Sequence, residues 1–235
     1  MRTALGGSAI LVIAGLIQPE ASAQEVQRVF RERIQPRLVD LNSGRFIEDG
    51  KPETFDPLQA AKDPAQSSAL SGEDDIASIR RREHRTVVYQ VEGPQKQLET
   101  LILPIRGYGL WSTLHGFIAL KNDLNTVVGL GFYQHAETPG LGGEVDNPRW
   151  KALWPGKKVF SDDGSKADIR IIKGSVDPSS PQAPHQVDGL AGATLTSKGV
   201  DNLLHFWLGP KGFGPFIANL RDSAQGSSQA STGGR

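Results

Sequence analysis

The most constraining feature of this chain is a helix near its C-terminus with a locally encoded start and stop. Val200, Leu203, Leu204, Trp207 and Leu208 recur at helical spacing and form one apolar face. Gly209-Pro210 stops it. Thr196 or Ser197 is expected to cap its start. The stretch leading in is Asp188-Gly189-Leu190-Ala191-Gly192-Ala193-Thr194-Leu195-Thr196-Ser197, which combines a carboxylate, small residues and a cluster of hydroxyls. Its plain reading is a Gly/Ala turn feeding a capped helix. The chemical reading starts from the helix N-terminus, whose unpaired N–H groups and partial positive charge suit a phosphate. Gly192 and Ala193 leave room for a phosphate to approach the backbone. Thr194 then offers a hydroxyl that phosphoryl transfer can esterify, and Asp188 is a candidate to orient a hydroxyl or a metal ion. The stretch contains neither Gly-x-Gly-x-x-Gly nor Gly-x-x-x-x-Gly-Lys-Ser/Thr.

With 235 residues the chain can bury one substantial core. A formal net charge of zero gives no pointer to nucleic acid as a partner. The absence of cysteine excludes disulfides, thiol catalysis and cysteine-ligated iron–sulfur clusters on this chain. The five histidines are too scattered to suggest a metal site.

Along the chain, the mildly apolar run over residues 4–17 is too short for a membrane span, which needs roughly 20 apolar residues. It reads either as a secretory signal, with Arg2 before it and Ala21-Ser22-Ala23 as the cleavage site, or as a helix ended by Pro19. Ser22 and Glu25 form a capping-box pattern for a further helix over residues 25–34. Residues 36–41 read as a strand, and Asp56-Pro57 as the start of a short helix. Residues 62–75 read as loop and residues 75–82 as another short helix. Residues 86–91 and 98–105 read as strands, and residues 117–120 and 126–133 as a hairpin across Asn122-Asp123. Residues 148–154 suggest a helix, and residues 157–160 and 169–173 further strands. The Gly/Ser/Gln-rich end, residues 222–235, is expected to be disordered. Short strands with helices between and around them predict an α+β fold with a largely antiparallel twisted sheet flanked by helices.

Asp-x-x-Ser/Ala-Gly-Ala-Thr-x-Ser/Thr, met here by residues 188–196, resembles the flavinylation signature of the FMN-binding domain family, with Ala191 where Ser is commoner. In that family a flavin transferase moves FMN from FAD onto the Thr after Gly-Ala, so the resemblance implies covalent FMN on Thr194. Residues 106–114, 137–144, 147–151 and 206–216 extend the likeness. Together they resemble the C subunit of sodium-translocating NADH:quinone reductases over roughly residues 8–221. The resemblance implies that the loop Glu137-Thr138-Pro139-Gly140-Leu141-Gly142 lies against the isoalloxazine, with Thr138 and Leu141 as ring contacts and Pro139 and Gly140 holding the turn. Gly192, Ala193, Thr196 and Asp188 join Thr194 around the tether. Trp111, Ser112 and Thr113 are further candidates, and Lys173 faces the ribityl or phosphate. His135 reads as structural.

The implied role is one-electron relay with no catalytic residue on this chain. Electrons arrive from an iron–sulfur centre in partner membrane subunits and leave to the FMN of the B subunit, then riboflavin and ubiquinone, coupled to sodium export. The implied partners are the A, B, D, E and F subunits and the maturing flavin transferase, at the inner membrane with the FMN domain facing the periplasm. An electron carrier like the G subunit of Rnf-type complexes, a stand-alone flavinylated periplasmic carrier and a non-catalytic scaffold are the alternatives. The resemblance also makes the apolar start part of the soluble domain. Residues 1–35 become an N-terminal helical segment without the family's usual membrane anchor, attached to the membrane through partners or a missing anchor, and residues 36–221 become the FMN-binding domain.

Overall fold

The computed structural model describes residues 3–232, with side chains described over residues 6–226. In chain order the elements are helices α1 (Thr3–Ile13) and α2 (Ala23–Arg33), strands β1 (Ile34–Asp40) and β2 (Arg45–Ile47), helix α3 (Pro57–Lys62) and strands β3 (Ser67–Ala69) and β4 (Arg81–Glu83). Then come β5 (Arg85–Glu92), β6 (Leu98–Tyr108), β7 (Thr113–Lys121) and β8 (Val127–Gln134). Helix α4 (Pro148–Lys151), the short strands β9 (Arg170–Ile171) and β10 (Gln186–Val187), and helices α5 (Thr194–Trp207) and α6 (Gly214–Thr232) complete the fold.

The frame is a six-stranded antiparallel sheet in the order β2-β1-β5-β6-β7-β8. Its middle is covered on both faces, so Leu101, Ile102 and Leu103 are all buried although successive side chains point to opposite sides. Leu101, Leu103, Ile105, Leu114 and Ile118 join Val200, Leu203, Leu204 and Trp207 of α5 in the larger core. Ile102, Phe117 and Ala119 face the other way and pack with Ile10, Leu11, Ala14 and Ile17. The α+β class and the antiparallel sheet expected from the pattern are what the chain adopts.

The apolar start is thus a sheet-covering element. Leu11 is fully buried in the second core. Leu11→Ala should cost about 2–5 kcal/mol, because the transfer loss and the residual cavity add. Urea unfolding checks this, and a change under about 0.5 kcal/mol would mean that α1 contributes little to the sheet. Among the described residues no helix is long and apolar enough to cross a membrane. Arg2, invoked for a signal, lies outside them.

Local signals explain several boundaries. Ser22 Oγ accepts from the Glu25 amide at the start of α2, and Asp56 accepts from the Leu58 and Gln59 amides ahead of Pro57. Other expectations need correction. Residues 75–82 do not form a helix. The Asp75 carboxylate accepts from the Ile79 and Arg80 amides, both at 2.8 Å, around a turn in which Ser78 and Arg80 have positive φ. The chain then enters β4, where fully buried Glu83 accepts from Arg106 Nη1 of β6 at 2.8 Å and 3.1 Å. A tertiary ion pair overrides the helical pattern. The expected strands at 157–160 and 169–173 shrink to isolated bridges and to β9. The helix expected over 148–154 is α4 alone.

At the C-terminus α6 continues to Thr232, across much of the Gly/Ser/Gln-rich stretch for which disorder is expected; residues 233–235 lie outside the described ones. Phe216 and Ile217 anchor the start of the helix in the core, and extending a formed helix costs far less than starting one.

Candidate functional site

Helix α5 starts at Thr194, two residues ahead of the expected caps. Its N-cap position is Ala193, and no side chain caps it. The first intrahelical bond runs from the Ser197 amide to the Ala193 carbonyl, so the amides of Thr194, Leu195 and Thr196 precede the hydrogen-bonded ladder. Thr194 is exposed, so its hydroxyl is accessible. Thr196 and Ser197 are buried and otherwise engaged. Thr196 Oγ1 donates to Glu137 Oε1 at 2.9 Å, and Ser197 Oγ accepts from the Leu190 amide at 3.0 Å.

The loop before α5 is fastened on several sides. β10 pairs in parallel with β9, and the Gly189 amide donates to the Gly174 carbonyl at 3.1 Å. The Asp188 carbonyl accepts from the Trp150 indole at 2.9 Å, and its carboxylate accepts from the Val176 amide at 2.8 Å. Asp188 therefore anchors the loop, and it takes no hydrogen bond from Thr194. Gly192 turns the chain at φ +70°, a conformation that suits glycine, and the chain then enters the helix at Ala193, which is buried. Farther along, Gly199 lets α5 approach the β6–β7 hairpin, where an added Cβ would stand 2.5 Å from the Tyr108 carbonyl oxygen.

Glu137 joins the parts. It is 5% exposed. One carboxylate oxygen accepts from the Leu110 amide at 2.6 Å and from Thr196 Oγ1. The other accepts from the Trp111 amide at 2.9 Å and from the Ser112 amide and hydroxyl, both at 3.1 Å. The hairpin tip, the 137–142 loop and the first turn of α5 thus share one carboxylate. Burial acts to raise its pKa, but the bonds from Leu110, Trp111, Thr196 and Ser112 outweigh it and hold the group below the ordinary glutamate value. Both of its oxygens are taken up by the protein, so Glu137 positions the groups around it.

Thr138 is exposed, and its carbonyl accepts from the Leu141 and Gly143 amides, which folds the loop back on itself around exposed Gly140. Leu141 is 44% exposed and reaches the backbone at Gly192. The loop and the Thr194 stretch are therefore neighbours, as the site reading requires. Trp111 stands 64% exposed at the hairpin tip, which excludes core packing for it. Thr113 opens β7 opposite Tyr108 and is half-buried. Lys173 is exposed beside the start of the 188–193 loop. His135 is structural, with Nε2 2.7 Å from an Asp146 oxygen and Nδ1 accepting from the Glu137 amide. Sequence reasoning missed the cleft beside α5 formed by Tyr108, Leu110, Leu195, Lys198 and Asn202. Its signal was the recurrence of 195, 198 and 202 on one helical face. Among the described residues no group of three His, Asp or Glu side chains is placed to hold a metal ion.

Residues 109–209, which span the hairpin tip, the loop and α5, match the FMN-binding domain family. The C subunit of the Na(+)-translocating NADH-quinone reductase of Pseudomonas aeruginosa is 66% identical over 212 residues, covering 90% of this chain and 80% of its own. The chain belongs to the C-subunit family of Na(+)-translocating NADH-quinone reductases. The C subunit of Yersinia pestis is 51% identical over 92% of this chain and 79% of its own. The crystal structure of Shewanella oneidensis NqrC matches with a TM-score of 0.84 at 32% identity, covering 94% of this chain and all of that one. The C-subunit structure from Parabacteroides distasonis matches with a TM-score of 0.66 at 28% identity, covering 92% and 94%. The antiparallel sheet with its flanking helices is thus the fold of this family.

Proposed function

We propose that this chain is the covalent-FMN electron-relay subunit of a Na(+)-translocating NADH:ubiquinone reductase, with FMN esterified to Thr194. The observation that carries the reading is an exposed threonine hydroxyl at the uncapped start of a helix, inside a matched FMN-binding domain. The donor set fits a phosphodiester: free amides, a partial positive charge and little side-chain bulk before it. During maturation a flavin transferase would join Thr194 Oγ to the FMN phosphorus of FAD. The pyrophosphate bond breaks, AMP leaves and the hydroxyl proton is lost. Bound FMN supplies one-electron acceptance and donation. The chain's own residues would keep it in place. Leu141 and Thr138 offer a wall, Gly140 the turn behind it, and Glu137 fixes that wall to the helix. Lys173, Trp111 and Thr113 are outlying candidates.

In this reading electrons come from an iron–sulfur centre in partner membrane subunits and pass to the FMN of the B subunit. The A, D, E and F subunits complete the complex, and the FMN domain faces the periplasm. The likeness of the relatives to most of the chain favours this over an Rnf-type or stand-alone carrier. The test is co-expression with a flavin transferase, followed by denaturation, in-gel flavin fluorescence and peptide mass mapping. One FMN on the peptide carrying Thr194 is expected. An unlabelled chain, or a label on another peptide, would overturn the tether.

A further inference from the structure

We propose that Lys198 belongs to this site as its counter-ion, with the ammonium lying over Thr194 and neutralising the phosphodiester there. This rests on the tether reading above. Lys198 follows Thr194 by four residues on α5, so the two share a face. Long helical side chains lean toward the N-terminus, and one turn is about 5.4 Å, within reach of a lysine.

Lys198 is exposed and makes no hydrogen bond or ion pair with another described residue. It borders an open cleft of about 200 Å³ whose other lining residues, including Tyr108, Leu110, Leu195 and Asn202, are uncharged. Glu137 serves the hairpin tip and Thr196, Asp188 serves the Val176 amide, and Asp201 accepts from the Ile171 amide and pairs with Arg170. No acidic residue stands in the first turn of α5, the end of the helix where an anion is favoured. An anion is thus missing from the chain itself at this place. The tethered phosphate supplies that anion.

The test compares wild type, Lys198→Met and Lys198→Arg as full chains, each with and without FMN attached by a flavin transferase. Mass spectrometry establishes the adduct in each preparation. At low salt, labelled Lys198→Met should melt about 1–3 °C below labelled wild type. The gap should close at high salt, and Lys198→Arg should restore it. Without the flavin, Lys198→Met should melt at or above wild type. The phosphorus resonance of the adduct should move in Lys198→Met and stay near wild type in Lys198→Arg. With the adduct present, equal effects on labelled and unlabelled chains, including none, overturn the role of Lys198 and leave the tether intact. A wild type without adduct overturns both.

Discussion

Thr194→Val should remove covalent flavin completely while leaving the fold unchanged. Valine keeps the branched shape and a similar helix propensity but has no oxygen to esterify. Thr194 is exposed at the first position of α5, so no buried partner is lost. Stability should stay within about 0.5 kcal/mol of wild type. The two readouts are adduct mass after co-expression with a flavin transferase and the urea midpoint. A labelled Thr194→Val chain would reassign the attachment point. A chain that lost its flavin only because it unfolded would show in the midpoint.

The largest structural effect is expected at Glu137. Glu137→Ala strands the amides of Leu110, Trp111 and Ser112 and the buried Thr196 hydroxyl at once. The tip amides can partly rehydrate and the Thr196 hydroxyl cannot, so the expected cost is about 2–4 kcal/mol. Glu137→Gln should recover only part of it. An amide has one accepting oxygen, and its NH2 group would face donors on the other side. Urea unfolding measures the loss, and faster amide exchange at residues 110–112 locates it. A loss below about 0.5 kcal/mol would show that the clamp is dispensable.

The same carboxylate sets a pH dependence. Its folded pKa lies below the ordinary glutamate value. Its contribution is therefore complete above that ordinary value and is lost as pH falls through the folded pKa. Wild type and Glu137→Ala should differ most near neutrality and converge in acid.

Several parts of this architecture are legible locally. The strands of the main sheet carry β-branched and aromatic runs, and Ser22 and Asp56 are short-range caps whose partners lie within three residues. The start of α5 misleads for the same reason. Any hydroxyl ahead of an apolar run reads as a cap. Thr196 turns away because a carboxylate 59 positions earlier claims it. Asp75 likewise looks like a helix start, yet a turn with two left-handed residues delivers Glu83 to Arg106.

The small residues ahead of Thr194 and the amphipathic helix behind it follow from the sequence alone, because each depends on residues adjacent along the chain. So does the antiparallel sheet, whose strands announce themselves by residue type. Tertiary structure decided the rest. It buries Leu11 and its neighbours against the sheet, turns Glu137 into a clamp and Asp188 into an anchor, and leaves Lys198, one turn from Thr194, without a partner among the described residues. A polar side chain acquires its role from what surrounds it, and those surroundings come from segments far apart in the chain.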